Sequence, residues 1–354
     1  MLMLLAGILG IFLSCLVIMY TCNTCEQSVN YLARNAKPGI KGALFLAPVS
    51  SAPELMFMLA MVLTGNPENI TAGVATTAGS AIFNGCLIPA LSILMGKYNE
   101  QGYFKLCRKT LIRDFSFLLV AELVLIWAIS QPFLRIGACS ALLGIYIAYV
   151  AFLVKTSKDG EAAEYIFEKL EYVSNSRLKD IAQFNFNKVL FKDEPLTTIR
   201  AWFILSLVVV ILFFACHLLA WSLGAIALFF GVPLYFTAVT LGAAATSLPD
   251  TVLSIKEAKK GGQDDSVANA FGSNTFDSTV ALAFPALLAL VFAGASLPLV
   301  QDDQLGILRW FIVGSSIAVF TTLYLSANKV SKKTAYPLLA IYAMWIGYLV
   351  GMGS

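Results

Sequence analysis

The sequence predicts an all-α polytopic membrane protein whose ten transmembrane helices form two inverted five-helix repeats. Three observations carry that prediction. Of 354 residues, 58% are hydrophobic and only 13% charged, and mean hydropathy is +0.79. A water-soluble core of this size cannot bury so much apolar surface. Second, all but two of the 24 Lys and Arg fall on alternate connections between apolar stretches, which the positive-inside rule assigns to the cytoplasm. Third, Val49-Ser-Ser-Ala-Pro-Glu54 returns as Ala245-Thr-Ser-Leu-Pro-Asp250, and Ala78-Gly-Ser-Ala-Ile-Phe-Asn84 returns as Phe271-Gly-Ser-Asn-Thr-Phe-Asp277.

The first apolar stretch, 2–21, lacks the basic leading segment of a signal peptide, so it is expected to be a transmembrane span. The next four are 42–64, which carries Pro53 and Glu54, then 71–95, 113–131 and 133–154. Arg34, Lys37 and Lys41 follow the first span, and a basic cluster from Lys97 to Arg113 follows the third. Arg135, between the fourth and fifth, is one of the two exceptions.

Residues 155–199 form the one long polar stretch. Glu161 to Leu178 has helical periodicity and is expected to be a cytoplasmic amphipathic helix joining the halves. It is too short for a folded regulatory domain. The second half supplies spans at 201–229, 233–256, 266–296, 306–327 and 335–352, with Arg309 as the other exception. Five spans is an odd number, so the second half enters from the opposite face. The organisation is then 1–154 as one repeat, 155–199 as connection and 200–354 as its inverted partner, with both termini outside.

Each half places a proline and a carboxylate at mid-span. Proline removes an N–H and frees carbonyls one turn back, around Ala47 to Ser50 and around Ala243 to Thr246. Bare carbonyls at membrane depth are tolerated where they line a cavity or bind something. Ser50, Ser51, Thr246 and Ser247 add hydroxyl oxygens, and Glu54 and Asp250 add charged ones. An all-oxygen set suits hard cations. One turn beyond Ser80 and Ser273 stand Asn84 and Asp277, on the same helix faces. Gly79 and Gly272 are expected to let neighbouring helices approach closely. A single Ser-x-Pro is ordinarily a kink and Gly-Ser ordinarily helix packing. The same set twice, in order, with an acid in each, makes a buried cation site the better reading, because intramembrane charge is costly without a partner. Inverted repeats meeting at such a midplane site are a common transporter architecture.

Other polar positions are weaker. Glu122 has no matched counterpart and is expected to be a packed or interfacial acid. Arg113 and Asp114 form a membrane-boundary pair, and Glu68 is a solvated acid in an outer turn. His217 is expected to be hydrogen-bonded within the bundle. Cys22-Asn-Thr-Cys25 lacks a second ligand pair, so it is read as helix-end packing rather than zinc binding.

These residues resemble the two α-repeats of the calcium/cation antiporter superfamily, from Ala47 to Asn84 and from Ala243 to Asp277, with details closest to the potassium-dependent sodium/calcium exchanger branch. The resemblance implies that Glu54 and Asp250, with Ser50 and Thr246, bind calcium. It implies a sodium role for Ala47, Ser51, Ser80, Asn84, Ala243, Ser247, Ser273 and Asp277, the alanines through main-chain carbonyls. An acid at Asp277 is associated with potassium use in that branch, although sodium-only prokaryotic relatives also carry Asp there. Val49 and Ala245 stand where the family usually has glycine. The implied activity is exchange of sodium, with or without potassium, for calcium by alternating access in the plasma membrane. Calcium and monovalent cations are then substrates, the lipid bilayer is the surrounding partner, and no cofactor or enzymatic step is required.

The nearest rival is a proton/calcium exchanger of the same fold. An intramembrane aspartyl protease built on Asp250 and Asp277 would leave the first-half copy without a role. A passive cation channel is disfavoured by the inverted carboxylate pair.

Overall fold

The computed structural model describes residues 1–32, 47–156, 180–181, 183–191, 195–292, 294, 296–301 and 303–353. The amphipathic helix expected at 161–178 lies outside them. The chain is nearly all helical. Seven helices among the described residues are long and apolar enough to cross a membrane, and a bent pair, Leu234–Thr246 with Leu248–Lys260, makes up to eight. The protein is a multi-pass membrane protein.

Two of the ten expected spans fall short of that measure for identifiable reasons. Ala52–Val62 has only 11 residues, because Pro53 separates it from the short turn Ala47–Ser50. Arg108–Ile129 has the length but carries Arg113, Asp114 and Glu122 along it. The long helices are longer than their apolar cores suggest, reaching Leu2–Leu32 and Thr198–Phe230. Among the described residues, a two-residue antiparallel ladder, Phe133–Leu134 against Leu297–Pro298, departs from all-α. It forms where two connections run side by side with backbone groups left to pair.

Proline sets the break in both motif segments. Ser51 (φ −94°, ψ 10°) and Ser247 (φ −81°, ψ 5°) leave helical geometry just before the prolines that restart the helices. Proline is well tolerated in a first turn, where its missing N–H would be unpaired anyway. The turn at Gly65-Asn66-Pro67 starts the next helix, with Asn66 Oδ1 accepting the Glu68 N–H at 2.8 Å.

The helices are not equivalent in depth. Pro67–Met95 and Gln263–Phe292 form the centre, with 78% and 61% of their apolar windows buried by protein. Leu2–Val29, at 22%, lies at the edge and packs along Thr198–Phe230. Both central helices contain a π-helical turn, Phe83–Leu87 and Asp277–Ala281. Such turns widen the helix locally and recur at functional sites.

Among the described residues, several contacts between connections join segments expected on the same membrane face. Phe104 bridges Val330, the Lys97 N–H reaches Ala258, and Asp264 accepts the Cys107 N–H at 2.6 Å. All of these fall on the expected cytoplasmic side. On the other side, Arg309 reaches Ser130 and Gln301, and Val300 donates to Thr71.

Candidate functional site

The broken helices and the π-turns bring three acids together. One carboxylate oxygen each from Glu54, Asp250 and Asp277 lie within 4.8 Å of one another. All three side chains are buried, at 0–1% exposure. Glu54 comes from the first restarted helix, Asp250 from its counterpart, and Asp277 from the π-turn of the central helix in the second half.

Hydroxyls surround the acids in a cross-linked pattern. Glu54 Oε1 accepts Ser247 Oγ at 3.0 Å and Ser80 Oγ at 3.4 Å. Asp250 Oδ1 accepts Ser273 Oγ at 2.7 Å, and the Ser50 side chain also reaches Asp250. Asn84 Nδ2 donates to Asp277 Oδ2 at 3.1 Å, and the Ser80 and Thr246 hydroxyls meet at 3.4 Å. Each half therefore supplies hydroxyls to the acid of the other. Glu54 Oε2, Asp250 Oδ2, Asp277 Oδ1 and Asn84 Oδ1 are buried and accept no hydrogen bond among the described residues. Unpaired oxygens at this depth are costly unless something fills their lone pairs, and among the described residues no Lys, Arg or His acts on the three acids. The donor set fits a hard cation with oxygen ligands.

Not every expected residue stands as the sequence suggested. The Ala243 carbonyl accepts the Ser247 N–H at 3.1 Å and the Thr246 hydroxyl at 3.3 Å, so it is not bare. Ala47 begins the short turn before the first break. Gly79 meets the expectation of close approach, since a Cβ there would collide with the Val239 carbonyl. Gly272 does not, because its nearest neighbour would be the Tyr149 hydroxyl at 3.5 Å. Val49 packs with Cys25, Val29, Ile204 and Val208, directing its extra bulk into an apolar cluster. A cleft of about 30 Å³ beside the site is lined by Cys22, Asn23, Val49, Ser50 and Pro249 among others.

Outside the cluster, Arg113 and Asp114 form a two-pronged pair at 2.6 and 2.9 Å. Asp114 is buried rather than interfacial, and Tyr149 also donates to it at 3.4 Å. His217 does not turn into the bundle. It is exposed on its helix and stacks on Phe213 with centroids 6.5 Å apart, because Cys216 and Leu219 take the inward positions. Glu122 is fully buried, the packed one of the two alternatives expected for it. Sequence reasoning also missed Asn274, whose Nδ2 donates to the Ala81 carbonyl at 2.9 Å and ties the central helices together one residue beyond Ser80 and Ser273. The aligned motifs hold the signal for it, since Asn274 and Ala81 occupy matched positions.

Fold and site together define a multi-pass membrane protein with acids from both ends of the chain converging at its centre. Residues 6–155 and 200–351 match the family described as sodium/calcium exchanger protein, and the chain belongs to that family. Sodium/potassium/calcium exchanger 4 of Mus musculus is 27% identical over 135 residues, covering 38% of this chain and 22% of that protein. The match thus spans about a fifth of that relative's length. Inner membrane protein YrbG of Escherichia coli (strain K12) is 25% identical over 280 residues, 77% of either chain. Among solved structures, the H+/Ca2+ exchanger CAX superposes with a TM-score of 0.72 at 12% identity, covering 96% of this chain and 82% of that one. The sodium-calcium exchanger NCX_Mj gives 0.57 at 19% identity, covering 97% and 99%. Both share the fold.

Proposed function

We propose that the chain is a secondary antiporter that exchanges sodium for calcium across a membrane by alternating access. The observation that carries this reading is the convergence of Glu54, Asp250 and Asp277 within 4.8 Å, with unpaired oxygens left over. Three carboxylates in a low-dielectric interior repel one another, and a divalent cation offsets most of that charge. Calcium sits between Glu54 and Asp250 with Ser50 and Thr246. Sodium uses the oxygens of Ala47, Ser51, Ser80, Asn84, Ala243, Ser247, Ser273 and Asp277, and Asp277 is also the residue at which potassium would act. Because both loads need the same acids, they exclude each other. A pocket emptied of cations resists crossing the bilayer, which enforces exchange over leak.

The same reading includes ten spans, with 1–154 and 200–354 as inverted halves joined by 155–199 and both termini outside. The parallel order of elements in the two halves supports it, as do the one-sided contacts among connections. Leu2–Leu32 and Thr198–Phe230, which hold none of the named ligands, are the moving gates. The plasma membrane is the proposed location.

A proton/calcium exchanger remains the second reading, favoured by the higher TM-score to CAX. Calcium flux into proteoliposomes, with sodium, potassium and proton gradients set independently, separates the two. Uptake that follows the sodium gradient and survives a protonophore is expected. Uptake that ignores sodium and collapses with the protonophore overturns the sodium reading.

A further inference from the structure

A second buried acid stands apart from the cation pocket. Glu122, on Arg108–Ile129, is 0% exposed, and Ser316, on Asp303–Ser326, is 2% exposed. Ser316 Oγ donates to Glu122 Oε1 at 2.6 Å, while Oε2 is buried with no hydrogen-bond partner among the described residues. The two helices run antiparallel. Arg108 lies over the Tyr324 ring, Phe115 stacks on Phe320, Glu122 meets Ser316, and Ser130 meets Arg309. That register puts the pair deep between the ends, with Arg309 about 10 Å away along its helix, seven residues from Ser316 at about 1.5 Å each.

Other charged and titratable groups on the packed elements are directed elsewhere. Tyr149 is engaged with Asp114, Tyr146 lies against Phe276, and Tyr324 receives Arg108. Asp264 holds the start of Glu122's own helix, and Asp265 adjoins it. Asp277 belongs to the cation pocket, and Cys139 packs in a separate apolar cluster. The Cys86 thiol, on the Phe83–Leu87 π-turn, is within electrostatic reach. No cationic side chain faces Glu122 among the described residues.

We propose that Glu122 and Ser316 form a proton-binding site, separate from the cation pocket, whose occupancy tunes transport through the π-turn that holds Asn84. The ligand follows from charge and valence. A lone carboxylate without a counter-charge is strongly disfavoured at this depth. One acid and one hydroxyl are too few oxygens for a calcium or sodium shell, whereas a proton needs a single lone pair. It comes from water and bonds to Oε2, leaving the group neutral while Oε1 keeps the Ser316 hydrogen bond. Its loss puts a negative charge behind the π-turn. That turn packs on Asp303–Ser326 and positions Asn84 against Asp277, so the charge opposes the acids of the pocket.

Glu122→Gln fixes the neutral form. In proteoliposomes of the full chain, wild-type calcium uptake should fall about tenfold per pH unit as pH rises through the titration of one proton, while Glu122→Gln stays within about twofold. Infrared spectra of purified protein should show a protonated-carboxyl C=O band that Glu122→Gln removes, a readout that needs no transport and survives failure of the exchanger reading. An unchanged pH profile, or an unchanged band, in Glu122→Gln overturns the proposal. If that variant does not fold, Ser316→Ala serves. Loss of the Ser316 hydrogen bond should shift the midpoint of the pH profile, and an unmoved midpoint overturns the proposal as well.

Discussion

The two halves present a similar polar skeleton but are not identical at matched positions. Glu54 faces Asp250, Ser80 matches Ser273, and Ser51 matches Ser247. Asn84 stands where the second half has Asp277, however, and Gly79 is pressed against the Val239 carbonyl where Gly272 has room. The pairing of Asn84 with Asp277 at 3.1 Å shows what the difference achieves. Two acids there would repel across the pseudo-symmetric centre, whereas an amide facing an acid makes a hydrogen bond. The pocket thus keeps a third charge without a fourth.

Breaking the symmetric part should have the largest effect. Glu54→Gln and Asp250→Asn should each lower calcium flux by about 100-fold or more, since removing one member of a buried charge set costs about 3–5 kcal/mol. Flux in proteoliposomes checks this, and equal losses from both variants would confirm that the halves share one ion. The glycine pair tests packing. Gly79→Ala should destabilise the protein by about 1–3 kcal/mol through overpacking, while Gly272→Ala should leave thermal unfolding in detergent nearly unchanged.

Smaller effects sharpen the asymmetry. Asp277→Asn makes the halves alike, and should weaken calcium binding by about tenfold or less, one charge-assisted bond's worth, while sodium coupling is lost more completely. Paired calcium-binding and sodium-driven flux measurements separate the two outcomes. Val49→Gly should change sodium-to-calcium selectivity by less than about twofold, because the Val49 side chain packs into an apolar cluster and not among the acids. Competition of sodium against calcium flux reads it.

The convergence of acids was legible in the sequence because each lies at a fixed offset from a proline or glycine-serine pair, and those local rules recur. Residues whose meaning depends on a distant partner were not legible. Ser316 is 194 positions from Glu122, and no period or motif links the two. The unequal glycines are similar, because spacing shows where a helix can approach another and not which backbone arrives.

Calorimetric titration of calcium into the purified full chain, beside Glu54→Gln and Asp250→Asn, tests joint coordination most directly. One high-affinity calcium per wild-type chain, absent from both variants, is the predicted result. Undiminished calcium binding in either variant would mean that residues 54 and 250 do not hold the ion together.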